Sequence, residues 1–175
     1  MPSKTFINLS EKKQLNMQSA LLKEFSEHPL ATAQVARIVK TAGVARGTFY
    51  KYFSDLIDAH QWLMKVTISD LGLHPDDLMQ QRKTAGEYEK AICEMLNRVR
   101  QSSYASFLKN YYQANEGYLA ARGINHHSVA EKMDAKQWAI ATLCHQAIKE
   151  CLMNPALQKE IIKRLGTVLK RLIGG

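Results

Sequence analysis

Apolar residues recur at helical spacing along nearly the whole of this chain, and that periodicity limits the fold more than any other feature. The clearest run is Tyr88, Ala91, Ile92, Met95, Leu96 and Val99, spaced i, i+3, i+4, i+7, i+8 and i+11. Such spacing gathers side chains on one face of an α-helix. The alternation of a half-buried strand, bounded by turns, is missing. An all-α chain is therefore expected. Its 175 residues suffice for one compact body, or for a small head plus a modest second domain.

Local punctuation divides the periodic stretches. Ser10 suits a helix N-cap, with Glu11 in the first turn and Leu15, Leu22 and Phe25 recurring on one face. His28-Pro29 ends that helix, because the residue before a proline avoids the α region. Two short helices follow, about Gln34 to Thr41 and Ala45 to Lys51, across an Ala42-Gly43-Val44 turn. Ser54 reads as the cap of a longer helix with Asp55 and Asp58 in its first turn. Its apolar residues are Ala59, Trp62, Leu63 and Val66, and Leu71 to Pro75 breaks it. A head over residues 10–71 and a body over 76–175 follow from this break. In the body, Tyr104, Phe107, Leu108 and Tyr111 predict a helix after Ser102-Ser103, and Gly117, Gly123 and Asn125 place a loop within Asn115 to His127. Ser128-Val129-Ala130-Glu131 reads as a capping box that opens a long helix. Asn154-Pro155 starts the last one.

The segment 34–53 carries the chemistry. Val35, Ile38, Val39 and Val44 can pack its two short helices together, and Gly43 suits a turn of positive φ. Phe49 and Phe53 can anchor the second helix. Arg46, Gly47, Thr48, Tyr50, Lys51 and Tyr52 are left for the outside and the rim. Arginine can bond a guanine bidentately, and threonine offers a hydroxyl and a methyl. Gly47 permits close approach to a duplex. Tyrosine hydroxyls and Lys51 can hold phosphates, and the helix start at Gln34 can offer backbone N–H groups to one. This is the pattern of a helix-turn-helix, whose second helix enters the major groove of double-stranded DNA. Charge agrees with a polyanionic partner. The chain carries a formal +8. From His28 to Ser54 its charged residues are Arg37, Lys40, Arg46 and Lys51, with no acid among them.

The run Ala42-Gly43-Val44-Ala45-Arg46-Gly47-Thr48-Phe49-Tyr50-Lys51-Tyr52-Phe53 resembles the signature of the TetR family of transcriptional regulators, A-G-V-S-x-G-T-x-Y-x-Y-F. The resemblance covers the head only. It implies an all-α homodimer with a three-helix helix-turn-helix head, followed by a helical domain for ligand binding and dimerisation. It also implies an effector-responsive repressor on a palindromic operator. Carried over by position, Gln34, Arg46, Gly47, Thr48, Tyr50, Lys51 and Tyr52 fall where such proteins touch DNA. Three positions depart from the pattern. Ala45 replaces a capping serine, Leu56 stands where a lysine is common, and Val39 replaces a smaller residue. The first two remove polar contacts to the DNA backbone, which motivates an alternative: a TetR-like co-regulator that acts through a protein partner with weak or no operator binding.

Beyond the head the resemblance says little. Met95, Tyr104, Phe107, Tyr111, Met133 and Trp138 are the candidates for a pocket that takes a small apolar or aromatic effector. The same residues at helical spacing also suit an ordinary core. The apolar stripes from Ile140 to Leu152 and from Leu157 to Leu172 are candidates for a self-association interface through the last two helices, or for the core of a monomer. Cys93, Cys144 and Cys151 have no metal or redox spacing and read as small core hydrophobes. His126-His127 lacks nearby ligands at metal spacing. No nucleophile elbow, phosphate loop or dinucleotide glycine pattern occurs. Neither an enzyme nor a metal or cofactor is expected. The N-terminus lacks a signal-peptide core, and no window approaches about 18 consecutive apolar residues, so a cytoplasmic location without a membrane span is the expectation.

Overall fold

The computed structural model describes residues 2–73, 84–124 and 133–174. Every regular element among them is helical. In chain order these are α1 (Lys4–Ile7), α2 (Glu11–Glu27), α3 (Val35–Ala42), α4 (Arg46–Tyr52), α5 (Leu56–Leu71) and α6 (Ala85–Gln101). Next comes α7 (Ala105–Asn110), which runs through a π-helical turn (Tyr111–Asn115) into α8 (Glu116–Ala120). The last are α9 (Ala135–Met153), a 3-10 turn (Pro155–Leu157) and α10 (Gln158–Ile173). No described helix is long and apolar enough to cross a membrane. The chain forms two compact units, Met1–Asp70 with Tyr104–Arg122, and Leu71–Ser103 with Gly123–Gly175. Helix α5 ends at Leu71, and Gly72 follows at φ 57°. Residues 104–122, read from the sequence as body, nonetheless fold with the head.

In the first unit, α2 packs against α3 and α7, while α4 packs against α1 and α3. The buried face of α2 is Met17, Ala20, Leu21, Glu24 and Phe25. Leu15, expected on that face, is instead 51% exposed. Residues 15, 22 and 25 do share a helical side, but α2 is rotated so that 17, 21 and 25 meet the core. The π turn has a structural consequence. The Glu116 N–H reaches back five residues to the Tyr111 carbonyl. The extra residue in the turn shifts the register of side chains that follow. Asn115 is thereby fully buried. Its Oδ1 accepts from the Leu30 N–H at 2.8 Å, and its Nδ2 lies 3.4 Å from His60 Nε2. His60 is itself fully buried, with its ring against Phe25, Phe107 and Tyr111. The Tyr104 hydroxyl donates to the Asp70 carboxylate and accepts from Gln18 Nε2 at 2.7 Å. Burial first, and the Asp70 partner second, push the Tyr104 hydroxyl up to about 12.

In the second unit, α6, α9 and α10 pack on one another. The predicted run on α6 holds: Tyr88, Ile92, Leu96 and Val99 are buried. Much of the apolar stripes of α9 and α10 is buried inside this unit, at Ile140, Cys144, Ile148 and Leu152 and at Ile161, Leu165 and Leu169. Cys144 and Cys151 are buried as expected, while Cys93 is half-buried. Burial pushes the Cys151 thiol up to about 11, which keeps it protonated and unreactive. The capping box at Ser128–Glu131, with His74 and His126-His127, lies outside the described residues. Asp134 caps α9, its side chain accepting from Gln137 N while Gln137 returns a bond to the cap backbone. The long helix α5 starts after Asp55, whose Oδ1 accepts from Asp58 N at 2.7 Å. The cap thus falls one residue later than Ser54.

A buried ion pair fixes α3 against α2. The Glu24 carboxylate is 4% exposed. It accepts from the Gln34 N–H at 2.7 Å and from Arg37 Nε and Nη2 at 2.9 and 2.6 Å. Burial alone would raise its pKa, but the Arg37 hydrogen bond, the Gln34 N–H and the nearby positive charges outweigh burial and hold it below 4.5. A lowered folded value means that this stabilisation is present above the unfolded pKa and is lost as pH falls through the folded one. Glu24→Gln should therefore cost about 2 kcal/mol at neutral pH and flatten the loss of stability on acidification. Urea unfolding of both proteins between neutral and acidic pH measures this; parallel pH profiles would refute the assignment.

Candidate nucleic-acid interface

The helix-turn-helix is built from α3 and α4. Val35 and Ile38 on α3 are buried, as is Ala42 at its end. Gly43 follows at φ 65°, the left-handed conformation that the turn requires. The Asn16 amide donates to the Ala42 carbonyl at 2.7 Å and so holds the turn to α2. On α4, Phe49 is fully buried and Phe53 just beyond it is 1% exposed. Both rings pack together, and Phe53 packs on Trp62 of α5. These anchors orient the opposite face outward.

That face is the one read from the sequence. Arg46, Gly47, Tyr50 and Lys51 are exposed, and Thr48 and Tyr52 are half-buried. Arg46 Nη2 lies 3.5 Å from the Tyr50 hydroxyl, and its guanidinium carbon is 6.0 Å from the Tyr50 ring centre. Both contacts are long, so little holds the arginine back from a ligand. Gln34 stands at the N-cap of α3 with an exposed side chain. Its own N–H is committed to Glu24, so that amide is unavailable to a phosphate. Arg37 likewise serves Glu24, whereas Lys40, Arg46 and Lys51 remain exposed. The acid-free stretch thus acts with three of its four cations.

Sequence reading missed a contributor to this surface. The N-terminal residues fold back on α4: Ser3 Oγ donates to the Lys51 carbonyl at 2.6 Å, and the Ser3 N–H donates to the Tyr52 carbonyl at 2.9 Å. Phe6, 1% exposed, sits among Tyr52, Phe53 and Trp62 with ring centres 4.9–5.3 Å apart. The available signal was Ser3 followed by an isolated apolar pair, Phe6-Ile7, too short for periodicity to register.

The pocket candidates do not share one unit. Tyr104, Phe107 and Tyr111 are buried in the first, and Phe107 rests on His60. Met95 and Met133 are half-buried in the second, where Trp138 is 54% exposed. Among the described residues, no group of three or more His, Cys, Asp or Glu could hold a metal ion.

Ala45 occupies the N-cap of α4 with φ −69° and ψ 149° and gives no side-chain cap bond. That backbone suits a capping residue. Ala45→Ser should stabilise the head by about 1 kcal/mol, a rise in melting temperature of roughly 2–4 °C. Thermal melts of the two proteins check it; an unchanged or lower midpoint would mean that the hydroxyl cannot reach the α4 amides.

Comparison with known proteins agrees with this geometry. Residues 19–55 match the family model for bacterial regulatory proteins of the tetR family. No curated protein matches the chain. Among solved structures, a TetR family transcriptional regulator from Chloroflexus aurantiacus is 20% identical, with 100% of this chain and 98% of that one covered and a TM-score of 0.56. The transcriptional regulator FadR from Bacillus subtilis, solved in complex with stearoyl-CoA, is also 20% identical, over 93% of this chain and 98% of that one, with a TM-score of 0.50. At such identity the likeness is one of fold, and the all-α architecture is common to them. The head of the chain, residues 19–55, thus matches the tetR family of bacterial regulatory proteins, and the chain as a whole is similar in fold to a TetR family transcriptional regulator.

Proposed function

We propose that this protein is a sequence-specific DNA-binding transcriptional repressor that sits on a palindromic operator as a homodimer and is released by a small effector. The observation that carries this reading is the two-sided character of α4: Phe49 is sealed into the core while Arg46, Gly47, Tyr50 and Lys51 face solvent. A two-turn helix anchored this way can enter a major groove with its arginine at the base edges. Lys51, Tyr50, Thr48 and Tyr52 hold phosphates and fix register, and the Gln34 side chain adds a contact at the start of α3.

The homodimer is assigned to α9 and α10. Their stripes are largely buried within the second unit, so the interface rests on what they leave outside. Leu157 is about half exposed, and Leu143, Val168 and Leu172 are half-buried. A two-fold pairing of these helices would cover them and set two heads about one DNA turn apart, roughly 34–36 Å. The effector is assigned to the class of small apolar or aromatic molecules. Met95, Met133 and Trp138 share the second unit and retain exposed surface, whereas Tyr104, Phe107 and Tyr111 are buried in the first. The FadR complex with stearoyl-CoA makes long-chain acyl compounds the first to try. An effector can release DNA only through a difference in its affinity for the two head arrangements.

Selection of bound genomic fragments by the purified protein, followed by affinity against salt, tests the reading. The expected result is a palindromic site with a steep salt slope. Arg46→Ala should then cost about 1–3 kcal/mol and relax preference at one base position. Lys51→Ala should weaken all sequences alike and reduce the slope by about one. Weak, sequence-blind binding together with capture of a specific protein partner would instead favour the co-regulator, for which the missing serine at Ala45 and the apolar Leu56 are the supporting features.

A further inference from the structure

We propose that the N-terminal segment Ser3–Leu9 is a positioning element for α4, and that Ser3 sets the orientation from which Lys51 and Tyr52 meet DNA. The proposal deepens the DNA-binding reading and rests on it for its functional half. It begins from the weakness of α4 by itself. Seven residues make two turns, far below the length at which an isolated helix persists in water. Its first turn has no side-chain cap and no acid. Its last carbonyls are orphans by construction.

Two of those carbonyls are satisfied by Ser3, far away in sequence. The Ser3 hydroxyl takes Lys51 O and the Ser3 amide takes Tyr52 O. These carbonyls belong to the two residues assigned to phosphates at this end of the helix. Ser3 also caps its own short helix, accepting from Phe6 N at 3.3 Å. One hydroxyl therefore couples the start of α1 to the end of α4. Phe6 supplies the apolar half of the joint, wedged against Tyr52, Phe53 and Trp62. The other end of α1 is tied to α2, since Gln14 Nε2 donates to the carbonyls of Ile7 and Leu9 at 2.8 and 3.1 Å. α1 is thus braced on α2, the helix that also holds the Ala42-Gly43 turn through Asn16. Both ends of the α3–α4 unit are referred to the same helix.

A purely stabilising segment and a positioning one differ in what they do to specificity. Base readout depends on register, whereas general attraction to phosphate does not. The test compares the full chain with Ser3→Ala and Ser3→Thr, the latter keeping the hydroxyl. Amide exchange across Arg46–Phe53 is read first and needs no DNA. Ser3→Ala should speed exchange of the last turn of α4 on the order of fivefold and lower the melting midpoint by no more than roughly 2–4 °C, with Ser3→Thr restoring both. Affinity is then read for the duplex recovered by genomic selection and for a scrambled duplex of equal length. Ser3→Ala should lose on the order of fivefold on the selected duplex and clearly less on the scrambled one. Unchanged exchange at α4, or equal losses on both duplexes, would overturn the proposal. A wild-type protein that binds no duplex selectively would sink the operator reading instead, and the exchange comparison would still decide whether Ser3 holds α4.

Discussion

Glu24 presents a carboxylate, almost out of reach of water, to both the start of α3 and the guanidinium of Arg37. Much of the head depends on that arrangement. A buried carboxylate is costly unless charge and hydrogen bonds compensate it, and here a bidentate arginine and a backbone N–H do so together. The geometry that satisfies it is narrow. It fixes the rotation of α3 about its axis, which fixes the Gly43 turn, which fixes the direction in which α4 leaves.

Around that polar joint the head is held by aromatic packing. Phe6, Phe49, Phe53 and Trp62 form one connected cluster beneath α4. Large rings give much buried area per residue and prefer tilted or edge contacts, as observed. A short helix can therefore be rigid without being intrinsically stable. Its outward face is free to carry a glycine and polar residues that would otherwise weaken it. The segment 104–122 adds a second set of polar ties to the head, from Tyr104 to Gln18 and Asp70, from Asn110 to Phe25, and from Asn115 to Leu30. These ties end on α2, on the close of α5 and on the loop before α3.

The helix-turn-helix was legible because its determinants are local. Gly43 is needed for a positive φ, Phe49 and Phe53 recur four apart, and polar residues fill the positions between them. The α6 stripe was legible for the same reason. Other features were not. Leu15 shares a helical side with Leu22 and Phe25, yet only a neighbour's position decides which side of α2 is inside. Arg37 looked like a cation for DNA, but its partner Glu24 lies on another helix. The glycines after Asn115 marked a loop somewhere before His127, but not that a π turn would first carry the helix on to Ala120.

Sequence by itself determined the elements: an all-α chain, its helix ends near His28, Gly43 and Gly72, the motif at 34–53 and the residues on the outer face of α4. These follow from backbone preferences and periodicity, which act over a few residues. Tertiary structure decided the partnerships. It placed Ser3 on the end of α4, paired Arg37 with Glu24, folded 104–122 with the head and buried most of the α9 and α10 stripes in their own unit. Such choices compare contacts between residues tens of positions apart, and the free energy of a contact depends on both partners. A periodic pattern says that a face must be covered; only packing says by what.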